Sequence, residues 1–121
     1  MPAIISHYKQ LTAYTTRDGS EIRELMHPLQ QGNQQQSLAE AIVQPGQHTL
    51  LHLHKLSEEL YYITQGQGCM QLGDEQLQVK IGDCICIPPN TPHRIENTGT
   101  EPLKILCCCS PAYAHEDTEL L

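Results

Sequence analysis

The stretch Gly46-Gln-His-Thr-Leu-Leu-His52-Leu-His54-Lys-Leu-Ser-Glu58-Glu59-Leu-Tyr-Tyr-Ile-Thr-Gln-Gly66 decides the fold. On a β-strand, side chains at i and i+2 share a face about 6.6 Å apart, so His52 and His54 point the same way. Two imidazoles at that separation can lean onto one ion, and a third ligand need only arrive from a neighbouring strand. Lys55 to Glu58 turn the chain, and the next strand opens beside the histidine pair. Glu58 and Glu59 lie on opposite faces of that strand. With Glu59 inward, Tyr61 and Ile63 follow it into the interior while Glu58 and Leu60 face out, so Glu59 is the expected inward carboxylate.

Outward from this stretch, one rhythm repeats from Ser37 onward. Runs of four to eight residues rich in Ile, Val, Leu, Tyr or Cys end in Gly, Pro, Asn or Asp. Strands are expected over Leu38–Val43, Thr49–His54, Glu59–Thr64, Gly68–Leu72, Glu75–Val79, Asp83–Ile87, His93–Asn97 and Leu103–Cys108. Gly73-Asp74 can close a tight hairpin, and Pro88-Pro89-Asn90 cannot continue a central strand. Many short strands with no convincing amphipathic helix between them argue for an all-β sandwich or barrel. Glu21–His27 is a candidate extra strand, Gln30 to Gln36 reads as a solvated loop, and Glu116 to Leu121 as a short docked tail. If His52 and His54 face inward, Leu51 and Leu53 lie outside the barrel. They then need cover from the N-terminal strand or a partner subunit.

A second cluster reads Gly82-Asp-Cys-Ile-Cys-Ile-Pro88-Pro-Asn90-Thr-Pro-His93-Arg-Ile-Glu-Asn97. Here a Pro/Asn turn ends one strand and His93 opens another, at a strand mouth where an ion is within reach. Taken together, the two clusters resemble the paired motifs of the cupin family. Gly46, His52, His54, Glu59 and Gly66 match the first motif; Gly82, Pro88, His93 and Asn97 match the second. Asn90 departs from the pattern by standing where the family has glycine. Asn is the residue that best tolerates left-handed backbone after Gly, so the turn should survive.

The resemblance implies a double-stranded β-helix, a jelly-roll of two antiparallel sheets with a metal inside one end. It implies that His52, His54, Glu59 and His93 hold one divalent transition metal: Mn, Fe, Ni, Cu, Co or Zn. Three imidazoles with one carboxylate suit such ions better than Mg or Ca, whose sites prefer all-oxygen shells. It implies a small metal-dependent enzyme of isomerase, dioxygenase or lyase type acting on a small polar molecule. A non-catalytic small-molecule or sugar-binding module is the other reading. Tyr61, one strand period after Glu59, is the candidate hydroxyl near the metal.

Composition bounds the rest. The 121 residues are expected to form one domain, with residues 1–36 as an N-terminal arm, 37–109 as the barrel and 110–121 as a tail. Fourteen acidic residues against seven basic ones give a net charge of −7, and there is no Trp or Phe. That balance repels phosphate backbones and offers no stacking platform, so nucleic acid is not an expected partner. The N-terminus lacks the basic start and apolar stretch of a secretion signal. No segment approaches the ~18 apolar residues of a membrane helix. The six cysteines include three in a row, Cys107 to Cys109, which alternate faces on a strand and make a poor disulfide framework. Reduced thiols in the cytoplasm, and a homodimer, are expected. Neither Cys84/Cys86 nor Cys107/Cys109 has Cys-x-x-Cys spacing, so a thiolate metal site is not expected. His7, His27, His48 and His115 read as surface or rim residues, and Arg23, Glu24 and Glu40 as solvated strand charges.

Overall fold

A computed structural model describes residues 2–121. Two antiparallel sheets carry the chain. The first has six strands in the order β1 (Tyr14–Thr15), β2 (Glu21–Met26), β3 (Ser37–Val43), β10 (Leu103–Ser110), β5 (Glu58–Gln65) and β8 (Cys84–Ile87). The second has five, in the order β11 (Thr118–Leu120), β4 (His52–His54), β9 (His93–Asn97), β6 (Gln67–Leu72) and β7 (Glu75–Lys80). The expected all-β, two-sheet architecture is the observed one.

Period-2 alternation builds the interior. In β5, Glu59, Tyr61 and Ile63 are buried, while Glu58, Leu60 and Tyr62 are exposed. In β10, Leu103, Ile105, Cys107 and Cys109 are buried. Ile63, Met70, Ile87, Ile95, Leu103 and Ile105 fill the closed end. At the other end β3 turns Ser37, Ala39 and Ala41 inward, beside Cys107 and Cys109 of β10. Small side chains there leave room that large ones would fill. The barrel is therefore packed at one end and hollow at the other.

The turn signals hold. Gly73 adopts φ 57° between β6 and β7, and Asn90 takes the left-handed φ of 62° that glycine would otherwise supply. The strand expected over Thr49–His54 shrinks to His52–His54. Thr49 lies opposite Ile95, donating its N–H to the Ile95 carbonyl and accepting the Ile95 N–H on Oγ1, while His52 lies opposite His93. Three residues on one side span two on the other, which is a bulge. It rotates His48 out of the face shared by His52 and His54, and His48 is exposed.

Four other expectations need correction. Gln30 and Gln31 belong not to a loop but to a one-turn helix, α1 (Pro28–Gln31), with proline at its start and left-handed Gly32 at its end. His27 is buried rather than superficial. Its Nδ1 accepts the Leu29 N–H and its Nε2 donates to the Tyr113 carbonyl. Glu24 and Glu40 are buried, not solvated. Tyr14 Oη donates to Glu24; Tyr8 and Arg23 engage Glu40, with the Arg23 guanidinium 4.3 Å from the Tyr8 ring. Leu53 is already buried within the single chain, without a layer of N-terminal strand on it. The N-terminal strands extend the opposite sheet, whereas β4 gains the tail strand β11, with Glu119 opposite Leu53.

Gly68 shows how tightly β6 and β9 are joined. A Cβ at this position would run into the Glu96 carbonyl oxygen. Gly68→Ala should therefore destabilise the fold by about 1–3 kcal/mol, read as a lower urea midpoint at unchanged slope. An unchanged midpoint would show that the two strands separate freely.

Candidate metal centre

His52 and His54 come from β4, His93 from the first residue of β9, and Glu59 from β5 across the barrel. The single ladder pair between β4 and β9 is His52 with His93, so those rings are cross-strand neighbours, with centroids 4.2 Å apart. One nitrogen from each of the three rings lies within 4.8 Å of the others. Glu59 Oε1 stands 3.2 Å from His54 Nε2 and 3.6 Å from His93 Nε2. The structure thus brings together the four side chains singled out from the sequence, and all four are buried.

What each ring does with its other nitrogen decides the chemistry. His52 Nδ1 lies 2.7 Å from the Leu50 carbonyl oxygen and His93 Nδ1 lies 2.9 Å from that of Thr91. A carbonyl only accepts, so both Nδ1 atoms carry the proton. His54 Nδ1 meets Thr118 Oγ1 at 3.0 Å, and that hydroxyl donates its own proton to the Ala114 carbonyl. The hydroxyl oxygen is then left to accept from His54 Nδ1. In the neutral rings every Nε2 lone pair is consequently free to face the centre, the orientation that outward hydrogen bonds impose on metal-binding histidines.

The carboxylate sharpens this. Burial alone would raise the Glu59 carboxyl, but the imidazoles of His54 and His93, as protonated donors, outweigh burial and bring it down to about 2. Where the Nε2 nitrogens of those rings carry no proton, their lone pairs and the Glu59 oxygens stand acceptor against acceptor. Among the described residues Glu59 Oε1 and His93 Nε2 are both buried with no hydrogen-bond partner, which costs about 1–3 kcal/mol for each neutral group and more for a charged one. A divalent ion removes the conflict. Ligands about 2.0–2.1 Å from a common ion lie roughly 3.0–3.6 Å from one another when the angles between them run from 90° to 120°. The observed separations of 3.2 and 3.6 Å fall in that span, so the donor set fits such an ion.

Around this point the hollow end forms a cavity lined by Tyr61, Ala39, Ala41, Ser37 and Thr49 along with His52, His54 and Glu59. The space open to the centre of a water molecule is about 50 Å³, roughly three to five water positions at ~10–15 Å³ each. Tyr61 packs its ring edge-on to His93, with centroids 6.0 Å apart. Burial first, and the Glu59 charge second, hold its phenol well above the ordinary range, so it stays protonated. Cys109 Sγ donates to Glu59 Oε2 at 3.3 Å. The Cys107 and Cys109 thiols are likewise raised by burial and by Glu59, and are not thiolates.

Four contributors go beyond the sequence reading, which weighed Cys109 only as a thiolate ligand and did not single out the other three. Thr118 orients His54; Cys109 contacts Glu59; Tyr113 packs edge-on to His54; and Asp18 Oδ2 lies 3.5 Å from His52 Nε2. All reach the site through long-range folding, and no local motif marks Asp18, Tyr113 or Thr118.

A carboxyl held below its unfolded value adds stability that is complete above the unfolded pKa and is lost as pH falls through the folded one. Metal-free protein should therefore lose up to about 3 kcal/mol between pH 4.5 and 2 through Glu59. Acid titration of stability in the presence of a chelator checks this. Glu59→Gln should flatten that limb, and an unaltered limb would contradict the assignment.

The cupin-domain family profile matches residues 39–109. An uncharacterized protein of Methanocaldococcus jannaschii is 57% identical over 121 residues, covering all of this chain and 97% of that one. An oxalate-binding protein of Thermotoga maritima is 32% identical over 84 residues, 69% of this chain and 65% of its own. Among solved structures, a predicted oxalate decarboxylase of Thermotoga maritima superposes with a TM-score of 0.78 at 24% identity, covering 89% of this chain and 99% of that one. The Streptomyces nucleoside dehydratase Pac13 gives a TM-score of 0.80 at 18% identity, covering 99% and 92%. At those identities the shared property is the barrel itself. Profile, paired motifs and barrel agree, and the chain belongs to the cupin family.

Proposed function

We propose that this cupin is a small metal-dependent enzyme that holds one divalent transition ion (Mn, Fe, Ni or Zn) on His52, His54, Glu59 and His93. The observation that carries the reading is the convergence of three outward-tethered imidazoles on a buried carboxylate, two of whose facing atoms have no other partner. When bound, the ion supplies Lewis-acid polarisation of a substrate oxygen. The chain's own residues then do the rest. Ala39, Ala41 and Ser37 leave the room for the substrate, and Ile63, Met70 and Ile95 close the floor against water. Tyr61, kept protonated beside His93, offers a hydroxyl as hydrogen-bond donor. A cavity of a few water volumes favours a small polar molecule, on the scale of a short carboxylic or keto acid. Isomerase, dioxygenase and lyase chemistry all suit this donor set, and both structural neighbours above are named for enzyme activities.

A non-catalytic binding role is the second reading, favoured by the likeness to a relative named for binding oxalate. Assembly as a homodimer in the cytoplasm completes the proposal. The six unpaired cysteines support the compartment. A row on the outer face of the six-stranded sheet supports the dimer: exposed Leu38, Leu60 and Cys86 and half-buried Cys108 are in register across four strands.

The combined substitution His52→Ala and His54→Ala should abolish uptake of one metal equivalent while leaving far-UV circular dichroism unchanged. An unfolded double variant would make the metal structural instead. Turnover by metal-loaded protein across short keto acids, small dicarboxylates and catechols, lost in Glu59→Gln, is expected. Binding without turnover across that panel would overturn catalysis in favour of the binding role.

A further inference from the structure

The metal reading accounts for a single carboxylate, yet a second one reaches the metal-facing nitrogen of His52 from outside the region matched by the family profile. Asp18 sits at the tip of the hairpin between β1 and β2. Thr16 donates its N–H to the Ser20 carbonyl and accepts the Gly19 N–H, which closes the turn. Asp18 Oδ1 accepts both the Ser20 N–H at 2.9 Å and the Ser20 hydroxyl at 2.6 Å. This fixes the side-chain rotation and leaves Oδ2 aimed at His52 Nε2, 3.5 Å away. The nitrogen it faces is the one freed for the centre, because His52 Nδ1 is spent on the Leu50 carbonyl.

The tip does not hang free. The Asp18 carbonyl accepts the Leu50 N–H at 2.7 Å, tying the turn to the residues that lead into β4. Arg17 Nη1 donates to the carbonyl oxygens of His115 and Thr118, the same Thr118 whose hydroxyl orients His54. The hairpin is thus clasped to both segments that position the β4 histidines, and the Asp18 side chain is only 12% exposed. The 3.5 Å separation from His52 matches the 3.2 and 3.6 Å separations of Glu59 from His54 and His93. All three lie in the span expected between neighbouring donors of one ion.

We propose that Asp18 is a fifth protein donor to this metal centre, delivered by the N-terminal hairpin on the His52 side while Glu59 closes the His54 and His93 side. The inference rests on the metal reading above. Two carboxylates would balance a divalent ion, and five protein donors would leave a six-coordinate ion one position, suiting a monodentate oxygen ligand over a chelating dianion.

Cobalt(II) serves as the probe ion. In Asp18→Asn the amide oxygen can still accept from Ser20, so the hairpin stays in place and the far-UV spectrum of the metal-free variant should match wild type. The variant should bind cobalt(II) at least tenfold more weakly, and its d–d bands should intensify as the coordination number falls. Added oxalate should leave the wild-type bands unmoved and shift those of the variant. Equal cobalt affinity with superimposable bands in both proteins overturns the role of Asp18 while leaving the three-histidine reading intact. Wild-type protein that takes up no cobalt overturns both. Should Asp18→Asn fail to fold, oxalate displacing two water ligands from the wild-type centre would itself overturn the fifth donor.

Discussion

Buried acceptors with nothing to accept from are the constraint around which this barrel is arranged. Three carbonyl or hydroxyl oxygens outside the site each accept a hydrogen bond from an Nδ1, which turns the Nε2 atoms inward, those of His54 and His93 toward Glu59. Much of the surrounding wall is apolar and offers no donor, since Ile95 and Ile105 line the cavity and are almost fully buried. In such surroundings the electrostatic cost of facing acceptors is high. A proton can bridge one pair of them, whereas a divalent cation can satisfy the set. Metal affinity is in this sense written into hydrogen bonds that never touch the metal.

The fold delivers these groups by register rather than by local sequence. β4 is only three residues long, yet it meets β9 on one side at His52 and His93 and β11 on the other at His54 and Thr118. The bulge after Thr49 sets which histidines share the inner face. Across the barrel, Glu59 lies opposite Cys109 of β10, and Cys109 lies opposite Ser37 of β3, so the neighbours of the carboxylate on that side are small. Small neighbours both give the cavity its room and let a thiol reach Glu59.

Much of this was legible in the residues, for identifiable reasons. His52 and His54 share a face because strand period is two, and the same parity chose Glu59 over Glu58. Asn90 could replace glycine because its side chain tolerates positive φ, and it does so at 62°. What escaped were effects of long-range geometry. Glu24 and Glu40 look like solvated strand charges until Tyr14, Tyr8 and Arg23 fold over them. A bulge adds one residue without any composition signal, which is why the Thr49 strand was drawn too long. Asp18 and Thr118 are separated from His52 and His54 by dozens of residues, and nothing in a turn or a tail announces what it will touch. His27 is different: Pro28 after it and Gly32 beyond did mark a one-turn helix, with His27 as its cap.

The most direct measurement of the central claim is zinc K-edge X-ray absorption on protein loaded with one equivalent. The account predicts a shell of nitrogen and oxygen alone at about 2.0–2.2 Å, with outer-shell scattering from three imidazole rings. A sulfur scatterer at about 2.3 Å, which Cys109 or Cys107 would supply, or the absence of imidazole scattering, would contradict it.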